Sequence, residues 1–101
     1  MSDTITAPKT TAKPKTERPK LYKVLLLNDD FTPREFVVAV LKAIFRMSEA
    51  EAFSVMYAAH QQGVCVVAVY TREVAEMKAK DATDFGRENG YPLAFTTERE
   101  D

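Results

Sequence analysis

Two runs of strand-type residues, each followed closely by a helix-start signal, limit what this chain can become. Leu21-Tyr22-Lys23-Val24-Leu25-Leu26-Leu27 is stopped by Asn28-Asp29-Asp30, and Thr32-Pro33-Arg34-Glu35 then opens a helix. Thr32 can cap that helix, Pro33 suits its first position, and Glu35 can reach back as the capping-box partner. Val64 to Tyr70 is apolar and mostly β-branched, which predicts a buried strand, and Thr71 caps a helix running to about Asn89.

Between and after these runs the helical period is clear. Phe36, Val40, Leu41, Ile44 and Phe45 make one apolar face. Ser48-Glu49-Ala50-Glu51 is a second capping box, and the helix behind it carries Ala52, Val55, Met56 and Ala59 on one side, with Gly63 placed to end it. The third helix turns Val74, Ala75, Ala82 and Phe85 inward, and a stripe of Ala75, Ala79, Ala82 and Gly86 lets it lie close to its neighbours. After Asn89-Gly90, Tyr91 to Thr97 reads as a short last strand, Pro92 suiting an edge or a strand start. The order β-α-α-β-α-β predicts an α+β domain over residues 21–101, a three-stranded antiparallel sheet covered on one face by three helices. Residues 1–20, built from Thr, Lys, Pro and Ala, predict a disordered extension.

With 101 residues the chain makes one domain with one modest core, a poor host for a deep catalytic cavity. Its charge is uneven. Lys9, Lys13, Lys15, Arg18 and Lys20 outnumber Asp3 and Glu17 in the extension, so the remainder is net acidic and unsuited to general nucleic-acid binding. Cys65, the single cysteine, sits in an apolar run and is expected to be a buried, inert thiol in a reducing, cytoplasmic setting. No apolar run approaches the ~20 residues needed to span a bilayer, and no membrane association is expected. The opening residues lack the apolar stretch of a secretory signal.

Asn28-Asp29-Asp30 stands out, between a strand and a helix start. Such residues make turns, because their side chains satisfy nearby backbone N–H groups. Clustered acceptors also suit a primary ammonium or a hard cation. His60, the only histidine, lies near the end of the second helix, where the helix dipole favours it; as a neutral imidazole it could accept a bond from the same ammonium. Asp30 with His60 could serve acid–base chemistry, yet no serine or cysteine is poised with them. A zinc site wants more His and Cys ligands, and no glycine-rich phosphate loop is present, so no metal or cofactor is expected. Glu73, Glu76 and Lys78 read as a solvated face by charge pattern, and Val37, Met56, Ala59 and Leu93 as core by spacing.

Taken in order, Tyr22-Lys23-Val24, Asn28-Asp29-Asp30-Phe31-Thr32-Pro33 with Glu35-Phe36-Val37, His60-Gln61-Gln62-Gly63, Thr71-Arg72-Glu73-Val74-Ala75-Glu76 with Lys78, and Tyr91-Pro92-Leu93 resemble the ClpS adaptor family. The resemblance covers nearly all of residues 21–97. It implies a non-enzymatic adaptor that grips clients by a free N-terminal Phe, Tyr, Trp or Leu and passes them to a ClpA-type AAA+ unfoldase. In the family, positions matching Asn28, Asp29 and His60 hold the α-amino group, with Asp30 and Thr32 supporting the site. Positions matching Val37, Met56, Ala59 and Leu93 shape the side-chain pocket. Positions matching Glu73, Glu76 and Lys78 touch the N-terminal domain of the unfoldase, which also engages the extension. Arg34 departs from the family pattern: many members carry Met there, which gates the pocket. That departure suggests a divergent paralogue with an altered ranking among ligands. A monomer is expected. The rival is a protein-interaction module of the same shape, like the C-terminal domain of the ribosomal stalk protein, which needs no such acceptor cluster.

Overall fold

The structure, a computed structural model, describes residues 18–100. Most of the extension expected over residues 1–20 therefore lies outside the described residues; Arg18, Pro19 and Lys20 form neither helix nor strand. The elements run β1 (Leu21–Leu27), α1 (Arg34–Phe45), α2 (Glu49–Gln62), β2 (Val64–Thr71), α3 (Arg72–Glu88) and β3 (Ala94–Arg99). They form one antiparallel sheet in the order β2-β1-β3, so the first strand is central. The α+β architecture and element order match the sequence expectation. Among the described residues no helix is long and apolar enough to cross a membrane.

The core lies between the sheet and the helices. β1 turns Val24 and Leu26 inward, each fully or almost fully buried. Against them pack Val37, Val40, Leu41 and Phe45 of α1, Ala52, Met56 and Ala59 of α2, and Ala75, Ala79 and Ala82 of α3. Phe45 stacks on Phe95 of β3 with ring centroids 5.5 Å apart. The Ser48 capping box forms as expected: Ser48 Oγ accepts from Glu51 N at 3.1 Å, and Glu51 Oε1 accepts from Ser48 N at 2.9 Å. Gly63 closes α2 at φ +89°, a conformation costly for a residue with a side chain. The register between β1 and β2 shifts after Val24, which pairs with Ala68 while Leu25 pairs with Val66, leaving Val67 as the extra residue of a bulge.

Several local expectations are corrected. β2 is not a buried strand: its exposure alternates, with Val64, Val66 and Val69 all open to solvent. It is an edge strand of a sheet covered on one face only, and a continuous apolar run conceals that alternation. Thr32 does not cap α1, where Pro33 is the N-cap and no side chain bonds the helix end; Thr71 likewise makes no side-chain cap bond to α3. Phe85 is exposed, not inward. It sits about 100° around the helix from Gly86 and hence beside the small-residue stripe, stacking on Phe36 at 5.6 Å. β3 begins at Ala94 rather than Tyr91, because Tyr91 N is already bonded to Gly86 O at 2.9 Å and Pro92 has no N–H to give.

Cys65 is half-buried rather than buried, and burial pushes its thiol pKa up, which keeps it protonated and inert.

Candidate functional site

Where β1 ends, the chain turns sharply, and the polar run after Leu27 is spent on that turn. Asn28 N donates to Gly63 O at 3.0 Å, joining this loop to the one between α2 and β2. Asp29 folds back on the next residues. Its Oδ1 accepts from Phe31 N at 2.8 Å, from Thr32 N at 2.8 Å and lies 3.0 Å from Thr32 Oγ1. Its Oδ2 lies 2.9 Å from the same hydroxyl, which has one proton to give. Thr32 is only 8% exposed, so its hydroxyl is committed to Asp29 and unavailable to the helix. Asp30 is exposed and makes no side-chain hydrogen bond among the described residues.

These loops roof a cavity of about 280 Å³. Its floor is apolar, made of Leu26, Val37, Met56, Ala59 and Leu93, all buried. Its rim is polar, with Asn28, Asp29, Asp30, Arg34 and His60. All ten residues that the sequence pointed to for ligand binding, Thr32 included, line this one cavity. Four others line it that the sequence reading missed: Leu26, Leu27, Phe31 and Pro33. Phe31 is the notable one. It is 80% exposed, and a large apolar residue inside a polar turn was a signal that could have been followed.

Two features of the cavity arise from distant parts of the chain. Arg34, at the start of α1, reaches His60 in the last turn of α2, its Nη2 lying 3.2 Å from His60 Nε2. A guanidinium has donors only, so any hydrogen bond here needs Nε2 as the acceptor. The arginine thus bars the rim and occupies one imidazole acceptor. Leu93 owes its position to a missing side chain: a Cβ on Gly86 would stand 2.9 Å from Leu93 Cβ. Thr83 Oγ1 fixes the following residues, accepting from Phe95 N at 2.9 Å.

Glu73, Glu76 and Lys78 lie elsewhere. Register pairs Leu21 with Thr71, so α3 starts at the opposite end of β1 from the cavity, roughly 20 Å away by strand rise. Glu73 and Glu76 are exposed, and Glu76 pairs with Arg72 at 3.1 Å. Lys78 does not share their face. It is half-buried, sits about 140° around the helix from Glu73, and its Nζ donates to Ile44 O, at the end of α1, at 2.9 Å.

A cavity with an apolar floor and an acceptor-rich rim can hold a molecule that is cationic at one end and apolar at the other. Comparison with known proteins bears on which. Residues 17–96 match the family model described as ATP-dependent Clp protease adaptor protein ClpS. The chain is 63% identical over its full length, and that of its relative, to ATP-dependent Clp protease adapter protein ClpS 1 of Bradyrhizobium diazoefficiens. It is 62% identical, again over both full lengths, to ATP-dependent Clp protease adapter protein ClpS 2 of Mesorhizobium japonicum. Among solved structures it resembles Agrobacterium tumefaciens ClpS2 bound to L-phenylalaninamide. The two share 65% identity with a TM-score of 0.81, over 82% of this chain and all of the other.

Proposed function

Since the chain belongs to the ClpS family of Clp protease adaptors, we propose that its cavity holds the first residue of a client polypeptide and that the protein delivers that client to a ClpA-type unfoldase. The carrying observation is the joining of opposite chemistries in one cavity: acceptors at the rim, apolar side chains beneath. A free N-terminus supplies three N–H donors and a charge. Asn28 and His60 each offer an acceptor, and Asp29 Oδ2 keeps lone pairs beyond the one facing Thr32. A bulky Phe, Tyr, Trp or Leu side chain reaches the floor, where burial contributes roughly 1.5–3 kcal/mol. L-phenylalaninamide, bound by the Agrobacterium relative, has this form: a free amino group, an aromatic side chain and an amide where a chain would continue. Glu73 and Glu76, exposed at the far end of the sheet, would meet the unfoldase, leaving the client end clear. The protein itself would act as a monomeric cytoplasmic adaptor without catalysis.

The test is a titration followed by fluorescence anisotropy, using a peptide that begins with free Phe and the same peptide acetylated. Acetylation keeps the side chain and removes the cation. Losing charge-assisted bonds of about 1.5–3 kcal/mol each should weaken binding on the order of 100-fold. Equal binding of the two peptides, or no binding to free Phe, Tyr, Trp and Leu ends alike, would overturn the proposal.

Arg34 should tune preference among those ends. Its guanidinium must leave His60 to admit the ammonium, and can then lie against an aromatic ring. A cation–π contact of about 0.5–1 kcal/mol predicts Phe, Tyr and Trp favoured over Leu by about 2- to 5-fold relative to Arg34→Met. Unchanged relative affinities in that variant would show that Arg34 plays no part in ranking.

A further inference from the structure

Beside the first cavity, a second cleft of about 330 Å³ runs between α1 and α2. Arg34 and Met56 line both, so they form a shared wall between two adjoining spaces. The open surface of the cleft is mainly apolar, with Val38 and Ala39 on α1 facing Phe53 on α2, while the charged side chains of Arg34, Glu35, Lys42 and Glu49 stand around it. Phe53 is 54% exposed and stacks on Tyr57, also exposed, with centroids 6.2 Å apart. Isolated apolar residues on a surface need no explanation; Val38, Ala39 and Phe53 are gathered around one concavity that adjoins the first cavity. At its end Lys42 Nζ and Glu49 Oε1 pair across the two helices at 2.6 Å, so neither is a free charge asking for a charged ligand.

We propose that this cleft is a subsite for the third residue of the client and prefers an apolar side chain there. The inference rests on the proposed function, which puts the client's first side chain in the first cavity. In an extended chain, side chains alternate, so the second points away and the third returns to the same side about 7 Å further on. That step suits two spaces separated by one wall. The second side chain faces solvent and carries little preference. Arg34, once moved off His60, lies between the first and third side chains and packs its stem against both.

Three peptides of equal length test this, beginning Phe-Ala-Ala, Phe-Ala-Leu and Phe-Leu-Ala, labelled at the far end and titrated into wild type and Phe53→Ala. Phe53 is exposed and outside the first cavity, so its truncation leaves the fold and the Phe-Ala-Ala affinity as they were. Leucine at the third position should tighten binding by about 3- to 10-fold, as expected for a partly buried side chain. Leucine at the second should change it less than about twofold by the same measure, and Phe53→Ala should erase the third-position gain. Binding of Phe-Ala-Ala with no third-position gain, with an equal gain at the second position, or with a gain that survives Phe53→Ala overturns the subsite alone. Failure of all three peptides to bind wild type overturns it together with the reading beneath it.

Discussion

Asp29→Asn should keep its stability and lose the client, whereas Asp29→Ala should lose the client and part of its stability. Asp29 holds two amide N–H groups and a hydroxyl of its own loop. An asparagine oxygen can still accept from Phe31 N and Thr32 N, so the turn survives the exchange. The negative charge does not, and an ammonium that loses a charged partner should bind about 10- to 100-fold more weakly. Alanine removes every acceptor at once. Thr32 is buried, so its hydroxyl has no ready access to water in exchange, and a stranded polar group costs about 1–3 kcal/mol. For a domain of this size that lowers Tm by roughly 4–8 °C per kcal/mol. Thermal melts and anisotropy titrations on both variants separate the two roles. Wild-type affinity in Asp29→Asn would mean that the residue builds the turn and nothing more.

Gly86→Ala should cost both stability and pocket size. In most exposed helical positions that exchange is favourable by about 1 kcal/mol. Here the added Cβ would meet Leu93 Cβ at 2.9 Å, an atom fixed to the backbone that no rotamer change can move aside. Overpacking of this kind costs about 1–3 kcal/mol, which over most of that range outweighs the gain in helix propensity. The strain is relieved by moving Leu93, which lies on the cavity floor. Peptides with the largest first side chains should suffer most, Trp more than Leu. A variant more stable than wild type with unaltered peptide ranking would show that the close approach is absent in solution.

The sequence disclosed the element order because each boundary carries a local signal. Ser48 and Glu51 form their box, Gly63 adopts its positive φ, and the Ala75-Ala79-Ala82-Gly86 stripe is buried along its length. It misled where a side chain had a competing partner or a strand an unexpected neighbour. Thr32 resembles a helix cap, but Asp29 lies three residues away and claims the hydroxyl. Val64 to Tyr70 is apolar enough for a central strand, yet the sheet places it at the edge. The site was legible in kind: the residues expected to form it surround one cavity. Spacing alone assigned Val37, Met56, Ala59 and Leu93 to the core, and they are indeed buried; a cavity floor is simply core with one side left open. What no local pattern could disclose were contacts between remote positions. Arg34 with His60, Lys78 with the end of α1, and Gly86 with Leu93 exist only once the chain has closed upon itself.

The central placing of β1 has a mechanical consequence. Residue 20 leads straight into the middle of the sheet rather than into an edge. A pull on the leading segment is therefore directed along β1, which is paired throughout its length to β2 and from Tyr22 to Leu27 to β3. Antiparallel ladder bonds lie across that pull, so they share the load and must break together instead of peeling one at a time. A force applied to the front of the chain would therefore meet the sheet in shear, the direction in which its strands part least readily, before any helix is disturbed.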